Sequence, residues 1–146
     1  MTPPTQPTAA ADPATDIAWL LPRHARSVGR ARALFRSWAE ELRLPGETVE
    51  TAALLLSELM TNAVWHGRVA GREVEARCRV VDAKTLRVEV SDACNALPVV
   101  REAGSDDESG RGLALVAALA SAWDAEPRPY GIGKTVWCEL PLPGGC

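Results

Sequence analysis

One amphipathic stretch, residues 52–67, constrains the fold of this chain more than any other part of its sequence. Four apolar residues recur there at helical spacing and form one stripe: Ala52, Leu56, Leu59 and Ala63. Glu58, Asn62 and His66 follow one another at intervals of four residues, so they share a different face of the same helix. Gly67 is suited to end the helix, because glycine adopts the left-handed conformation readily. The stretch therefore predicts a helix that packs against a core and presents polar side chains on another side.

The polar face of this helix offers two oxygen-bearing side chains that lie one turn apart. The amide oxygen of Asn62 is a hard ligand that suits Mg²⁺, an ion that keeps most of its waters and sits beside phosphates. The carboxylate of Glu58 is placed to accept a proton or to position a water. Such a pair is also common on a plain solvated helix face, so its meaning depends on the rest of the chain.

Length and composition indicate one globular domain. The chain has 146 residues, of which 47% are hydrophobic and 24% are charged, as in ordinary globular proteins. A net charge of −3 gives no reason to expect nucleic acid as a direct partner. The sequence shows neither an apolar run that could span a membrane nor a signal peptide, so we expect a cytoplasmic protein. Cys78 and Cys138 lie in strand-like runs and are expected to be small core residues.

The periodicity of the apolar residues predicts the remaining elements of the fold. These are a disordered tail (1–15), an edge strand (17–21), two helices (24–43 and about 47–66), a hairpin (strands 72–81 and 85–91), a mobile loop (101–109), a third helix (110–120) and a last strand (134–141). The alternating strands need a cover on one face, which amphipathic helices supply. We therefore expect an α+β fold, a two-layer sandwich with helices on one face of a mixed, mostly antiparallel sheet.

The first predicted helix has a strongly basic exposed side. Its cations are Arg26, Arg30, Arg32, Arg36 and Arg43. This side is either a solvated face or a docking surface for an acidic partner protein. Nucleic-acid binding is less favoured, because the rest of the chain is acidic.

Two further stretches combine polar residues with small ones. Asp92 stands at the end of a predicted strand, where the small residues that follow allow a ligand to approach the backbone. A turn-forming aspartate is the alternative interpretation. Gly110 and Gly112 open a predicted apolar helix, and a helix start offers unpaired N–H groups that bind phosphate oxygens. No Walker loop is present, because no Gly-Lys-Ser/Thr sequence follows these glycines.

Taken in order, these motifs resemble those of the histidine-kinase-like (GHKL, Bergerat-fold) ATPases. Glu58 and Asn62 resemble the N box, Asp92 the start of the first glycine box, and residues 110–113 the second glycine box. The sequence 133–135, Gly-Lys-Thr, resembles the glycine and threonine of the family's last strands. The resemblance covers residues 16–142, leaving the tails 1–15 and 143–146. It is closest to the stand-alone anti-sigma-factor serine/threonine kinases of actinobacterial type, whose Ser-Glu-Leu-x-x-Asn-Ala-x-x-His-Gly string the chain contains.

The resemblance implies a role for each matching residue. Glu58 would be the general base that activates a serine hydroxyl of a protein substrate, and Asn62 would coordinate the Mg²⁺ that bridges the phosphates of ATP. Asp92 would accept a hydrogen bond from the amino group of adenine, and Thr135 would lie near the same edge of the base. The second glycine box would approach the phosphates and complete the nucleotide site: Gly110, Arg111, Gly112 and Leu113.

One departure from the family pattern concerns the first glycine box. The family has Asp-x-Gly-x-Gly, whereas this chain has Cys94 and Ala96 in place of the two glycines. A Cβ atom at those positions crowds a nucleotide or stiffens the loop. We expect ATP binding to persist through Asp92 but to weaken.

The function that the resemblance implies is an ATP-dependent serine/threonine kinase of the anti-sigma-factor type. Its substrate would be an anti-anti-sigma-type protein, a sigma factor would be a second partner, and the protein would form a homodimer. The alternative is a nucleotide-gated protein-binding module without catalytic turnover, which the altered first glycine box favours. A third reading is a pseudo-enzyme that has lost nucleotide binding and acts only through its basic first helix.

Overall fold

The computed structural model describes residues 14–66, 73–93, 108–128 and 133–143, except for the side chains of His66 and of residues 108–111. The strands are β1 (Asp16–Pro22), β2 (Glu73–Val81), β3 (Thr85–Asp92), β4 (Ala122–Pro127) and β5 (Lys134–Pro141). The helices are α1 (Arg26–Glu41), α2 (Gly46–His66) and α3 (Glu108–Leu119). The predicted α+β sandwich is confirmed. In the described part of the chain, no helix is both long enough and apolar enough to cross a membrane.

The five strands form one sheet in the order β1-β2-β3-β5-β4. All four pairings between these strands are antiparallel. We expected a mixed sheet, but its described part contains no parallel pair. The central pairing of β3 with β5 places Asp92 opposite Lys134 and Ser91 opposite Thr135. This register determines which side chains meet at the end of the sheet.

Strict alternation gives the sheet two different faces. One face, here called the helix face, carries buried apolar residues from β2, β3 and β5: Val74, Ala76, Cys78, Leu86, Val88, Val90, Val136, Cys138 and Leu140. The three helices pack on this face and complete a single core. The opposite, polar face carries Arg77, Arg79, Arg87, Glu89, Trp137 and Glu139. The sequence alternation predicted this division, which follows from the need to bury one side of each strand.

Helices α1 and α2 follow the apolar stripes that their sequences predict, which in the first helix recur at Val28, Ala31, Phe35, Trp38 and Leu42. In α2 the four residues of the apolar stripe are no more than 2% exposed. In α1 Ala31, Phe35 and Trp38 are buried in the same core, and the rings of Phe35 and Trp38 lie 6.1 Å apart. The amphipathic spacing therefore identified the buried face of both helices.

Both predicted core cysteines, Cys78 and Cys138, are fully buried free thiols on the helix face. Burial raises the pKa of the Cys78 thiol far above its ordinary value, and burial raises the pKa of the Cys138 thiol to about 12. The thiolate form of each is therefore disfavoured.

Helix α3, strand β4 and the end of the tail differ most from the sequence expectation. Helix α3 begins at Glu108 rather than at Gly110, so the last two residues of the expected loop are helical. An acidic residue is favourable at a helix start, where the dipole is positive. Strand β4 was not recognised, because its six residues alternate weakly and it lies at the edge of the sheet. The end of the expected tail is bonded to the domain. The carbonyl of Ala14 accepts a hydrogen bond from Trp38 Nε1, and the carbonyl of Thr15 accepts one from Val80 N.

Candidate functional site

The two polar residues of the α2 motif both lie on the described part of the helix. Asn62 is 8% exposed, and its Nδ2 atom is buried without a hydrogen-bond partner among the described residues. Buried polar atoms are nearly always paired, so an orphaned amide indicates a place where a ligand or water completes the bonding. The amide can turn by 180°, which exchanges its donor and its acceptor. Asn62 is therefore suited to present an oxygen atom to a cation.

Helix α3 comes into close contact with the carboxylate of Glu58. A Cβ atom added to Gly112 would lie 2.5 Å from Glu58 Oε1, so a side chain at this position would displace the carboxylate. Gly112 is buried in the helix, and the next residue, Leu113, is 2% exposed in the core. The second glycine box is thus held against the N box by core packing.

The end of strand β3 carries a buried ion pair. Lys134 Nζ lies 3.1 Å from Asp92 Oδ1 and 3.1 Å from Asp92 Oδ2. The two side chains are only 5% and 4% exposed, and both belong to the helix face. Because a buried charge is costly unless it is paired, each member of this pair requires the other.

Gly133 allows this pair to form. Its φ of +80° lies in the left-handed region, and a Cβ atom there would collide with the backbone carbonyl of Asp92. Glycine is the residue that adopts this conformation without a steric penalty. The start of β5 can therefore pack directly onto the end of β3.

The structure does not bring Thr135 together with Asp92. Thr135 Oγ1 lies 2.7 Å from Ser91 Oγ on the polar face of the sheet, one residue out of phase with the Asp92–Lys134 pair. The role implied for Thr135 near the base edge stays a prediction. Lys134 takes the position beside Asp92, and the sequence reasoning missed it. The alternation of Val136, Cys138 and Leu140 indicates the face of Lys134, because counting back by two from Val136 puts residue 134 on the same buried face.

Part of the expected site lies outside the described residues. This holds for the altered first glycine box beyond Ala93, for residues 101–107 of the expected loop, and for Gly67. Gly110 and Arg111 lie in the first turn of α3, but the side chain of Arg111 is not described. The roles implied for these residues stay predictions.

The residues present fit a magnesium ion bound mainly by phosphates and water. The described residues contain no group of three or more His, Cys, Asp or Glu side chains that would hold a metal ion by themselves. Mg²⁺ is typically held by one or two protein oxygens together with waters and substrate phosphates. Asn62, with its orphaned amide one turn from Glu58, matches this requirement.

Comparisons with known proteins agree with the arrangement of these motifs. Residues 21–138 match the model of the family described as the histidine kinase-like ATPase domain. The chain therefore belongs to the histidine kinase-like ATPase domain family. An uncharacterised protein of Streptomyces coelicolor is 36% identical over 86 residues, which are 58% of this chain and 79% of that protein.

Similar solved structures come from the blue-light activated histidine kinase of Erythrobacter litoralis EL346. Its histidine kinase domain has a TM-score of 0.50 and 29% identity, with 67% of this chain and 46% of that chain covered. A second structure of the same kinase has the same score and identity, and covers 68% of this chain and 32% of that chain. This chain thus spans less than half the length of these two solved chains. The expected membership of the family is confirmed.

Proposed function

We propose that this chain is an ATP-binding regulatory protein that acts as a serine/threonine kinase of the anti-sigma-factor type. The observation that carries the proposal is the contact of the second glycine box with the N box, where Gly112 lies against the Glu58 carboxylate. In a chain of the histidine kinase-like ATPase family, this contact supports a nucleotide site between α2 and α3.

In this proposal each end of the nucleotide has its own protein groups. Asp92, at the end of β3, accepts a hydrogen bond from the amino group of adenine. The beginning of α3, from Gly110 to Leu113, offers N–H groups and the positive end of a helix dipole to the phosphates. Asn62 holds a Mg²⁺ ion, which when bound supplies neutralisation of the phosphate charge.

The proposed chemistry is the transfer of one phosphoryl group to a serine hydroxyl. The hydroxyl oxygen forms a bond with the γ-phosphorus while the bond to the β–γ bridging oxygen breaks, so ADP leaves with that electron pair. Glu58 accepts the hydroxyl proton as the new bond forms. Phosphoryl transfer requires mainly positioning and charge stabilisation, which a buried helix pair can provide.

A phosphotransfer assay with matched helix variants tests the kinase proposal. The protein is incubated with γ-labelled ATP, Mg²⁺ and an anti-anti-sigma-type protein that carries the acceptor serine. We expect Glu58→Gln to lower the labelling rate by about 10²-fold or more, the usual contribution of a general base. Glu50→Gln is the control, because Glu50 lies on the same helix in an exposed ion pair with Arg36. Equal labelling by wild type and Glu58→Gln would remove the general-base role.

A nucleotide-gated binding module without turnover is the second candidate. The replacement of both glycines in the first box by Cys94 and Ala96 favours it, because a stiffer loop can retain the nucleotide without completing a catalytic site. In that case ATP changes the affinity for the partner, and no labelled partner is formed. Partner binding measured with and without a non-hydrolysable ATP analogue distinguishes this function from the kinase.

The basic side of α1 supports an acidic partner protein, for which we propose the anti-anti-sigma-type substrate or a sigma factor. Arg32 and Arg36 are bonded to Ser57 and Glu50 of α2, whereas Arg26 and Arg30 are exposed. Beside the start of α1 lies a cavity of about 480 Å³ lined by Arg23, His24, Ala25, Val64 and Trp65. The exposed cations together with an aromatic ring suit an acidic, partly apolar surface.

Charge reversal tests this docking surface. We expect Arg26→Glu with Arg30→Glu to weaken partner binding at least tenfold, mainly through slower association at low salt. Lys84→Glu, which changes an exposed cation in the turn between β2 and β3, is the control. An unchanged affinity in the double variant would place the partner elsewhere on the molecule.

A further inference from the structure

We infer that Lys134 is a specificity-determining residue of the nucleotide site: through its ion pair with Asp92 it keeps that carboxylate an oriented acceptor for the 6-amino group of a purine. This inference rests on the proposed binding of ATP. Lys134 acts here through Asp92, so it is a positioning residue rather than a catalytic one.

The side chains along the β3–β5 pairing change from apolar to charged at Asp92 and Lys134. On the helix face three successive cross-strand pairs are apolar: Leu86 with Leu140, Val88 with Cys138, and Val90 with Val136. The fourth pair on this face is Asp92 with Lys134, equally buried but charged. Well-packed apolar residues can replace a buried ion pair at little or no loss of stability. Packing alone therefore gives no reason for two charges at this end of the run.

The geometry of the pair restricts the Asp92 carboxylate. Lys134 Nζ lies at the same distance, 3.1 Å, from both carboxylate oxygens of Asp92. An ammonium group that contacts both oxygens restricts rotation of the carboxylate about its terminal bond. The contact of Gly133 with the Asp92 backbone fixes the two strand ends against one another as well. Side chain and backbone of Asp92 are thus both held in place from β5.

The carboxylate of Asp92 is suited to meet an amino group, because carboxylate oxygens accept hydrogen bonds. Lys134 Nζ contacts both of these oxygens, so they are held in one orientation at the end of β3. Without Lys134 this orientation is no longer fixed. A purine without the 6-amino group then leaves a desolvated acceptor unpaired, which lowers its affinity.

The test compares two nucleotides that differ only in the 6-amino group: ATP and purine riboside 5′-triphosphate. Calorimetric titrations in Mg²⁺ give the ratio of the two dissociation constants for each protein. For the wild type we expect ATP to bind about ten- to a hundredfold more tightly, the usual value of a hydrogen bond to a charged group. For Lys134→Met we expect the ratio to fall to about threefold or less, whereas Lys134→Arg, which keeps the charge, retains most of it. Combining Lys134→Met with Asp92→Asn should reduce the ratio no further than Asp92→Asn alone, because both act on one contact.

The possible outcomes separate the inference from the proposed function. If the wild type fails to bind either nucleotide, the proposed function is wrong and the inference falls with it. If the wild type discriminates and Lys134→Met discriminates equally well, the nucleotide site stands and the role of Lys134 is refuted. Far-ultraviolet circular dichroism verifies that each variant is folded. Should Lys134→Met not fold, Lys134→Gln provides the same test, because it removes the charge and keeps a polar side chain.

Discussion

Strands β3 and β5 carry ion pairs on both faces of the sheet, and these pairs differ in how deeply they are buried. On the polar face Arg79, Glu89, Arg87 and Glu139 form a chain of alternating charges with N–O distances of 2.6, 2.6 and 3.0 Å. Arg87 also lies 4.0 Å above the centre of the Trp137 ring. On the helix face the Asp92–Lys134 pair ends a run of apolar pairs. The charges of the polar face thus compensate one another in a partly exposed network. The charged pair of the helix face instead stands at the end of a run of buried apolar pairs.

The difference between the faces helps to separate structural charges from functional ones. Most side chains of the polar network keep between 19% and 31% of their surface exposed, so their desolvation is incomplete. The members of the helix-face pair are nearly fully desolvated, at 4% and 5%. A fully buried pair is weak support for stability and a good indicator of a functional site. This contrast supports our proposal of a nucleotide site at the Asp92 end of the helix face.

Removing one charge from the helix-face pair should produce the largest loss of stability. We expect Lys134→Met to lower the free energy of unfolding by about 3–5 kcal/mol, because Asp92 is then left buried without its counter-charge. Combining it with Asp92→Leu should recover most of this loss, since two apolar residues continue the pattern of the strands. Urea unfolding followed by circular dichroism measures both variants. A loss for Lys134→Met no greater than that for Glu89→Gln would contradict the contrast between the faces.

Gly133→Ala tests the backbone contact that joins β5 to Asp92. We expect a loss of about 2 kcal/mol or more, because alanine is strained at a φ of +80° and its Cβ meets the Asp92 carbonyl. Gly46→Ala, at the first residue of α2, is the control, since an added Cβ there has no heavy atom within 4 Å among the described residues. Thermal unfolding compares the two. Similar midpoints would mean that the contact of Gly133 with Asp92 does not constrain the strand ends.

On the polar face, Glu89→Gln should have a smaller and pH-dependent effect. Burial by itself raises the pKa of Glu89, but hydrogen bonds from Arg87 and Arg79 outweigh it and lower the pKa below the ordinary value of 4.5. A lowered folded pKa stabilises the protein above pH 4.5, and this contribution is lost as the pH falls through the folded pKa.

We therefore expect Glu89→Gln to cost about 1–2 kcal/mol at pH 7 and progressively less in acid. Urea unfolding of wild type and variant between pH 3 and pH 7, on the order of one measurement per pH unit, follows the difference. A difference that is constant over this range would show that the charge of Glu89 is not what stabilises the network.

The exposed pair of Arg77 with Asp16 should contribute least. Arg77 donates two hydrogen bonds to the carboxylate of Asp16, at 2.8 and 2.6 Å, and these bonds lower the pKa of Asp16. The side chains of Arg77 and Asp16 are 37% and 46% exposed, so water screens their interaction. We expect Arg77→Gln to change the unfolding free energy by less than about 1 kcal/mol. A loss as large as that of Glu89→Gln would mean that exposure does not rank the ion pairs of this sheet.

Much of this contrast could be predicted from the sequence. Period-two alternation identified the buried side of β2, β3 and β5, and helical spacing identified the stripe of α2. The N box and the second glycine box were recognised because their residues are local in sequence. Their contact through Gly112 follows from the packing of α3 on α2.

What the sequence did not reveal depends on cross-strand register. Asp92 and Lys134 are 42 positions apart, and only the pairing of β3 with β5 brings them together. The same register places Thr135 on the polar face beside Ser91. A one-residue shift in a strand exchanges its two faces, so a motif match alone cannot locate such a side chain.

A calorimetric titration of ATP in the presence and absence of Mg²⁺ tests the proposed nucleotide site at the end of the helix face. It compares the wild type with Asp92→Asn and with Glu89→Gln, a matched charge removal three residues earlier on the other face of β3. We predict saturable, Mg²⁺-dependent binding to the wild type and to Glu89→Gln, weakened about tenfold or more in Asp92→Asn. Equal binding by all three proteins, or no binding by the wild type at millimolar ATP, would contradict a nucleotide site at the end of the helix face.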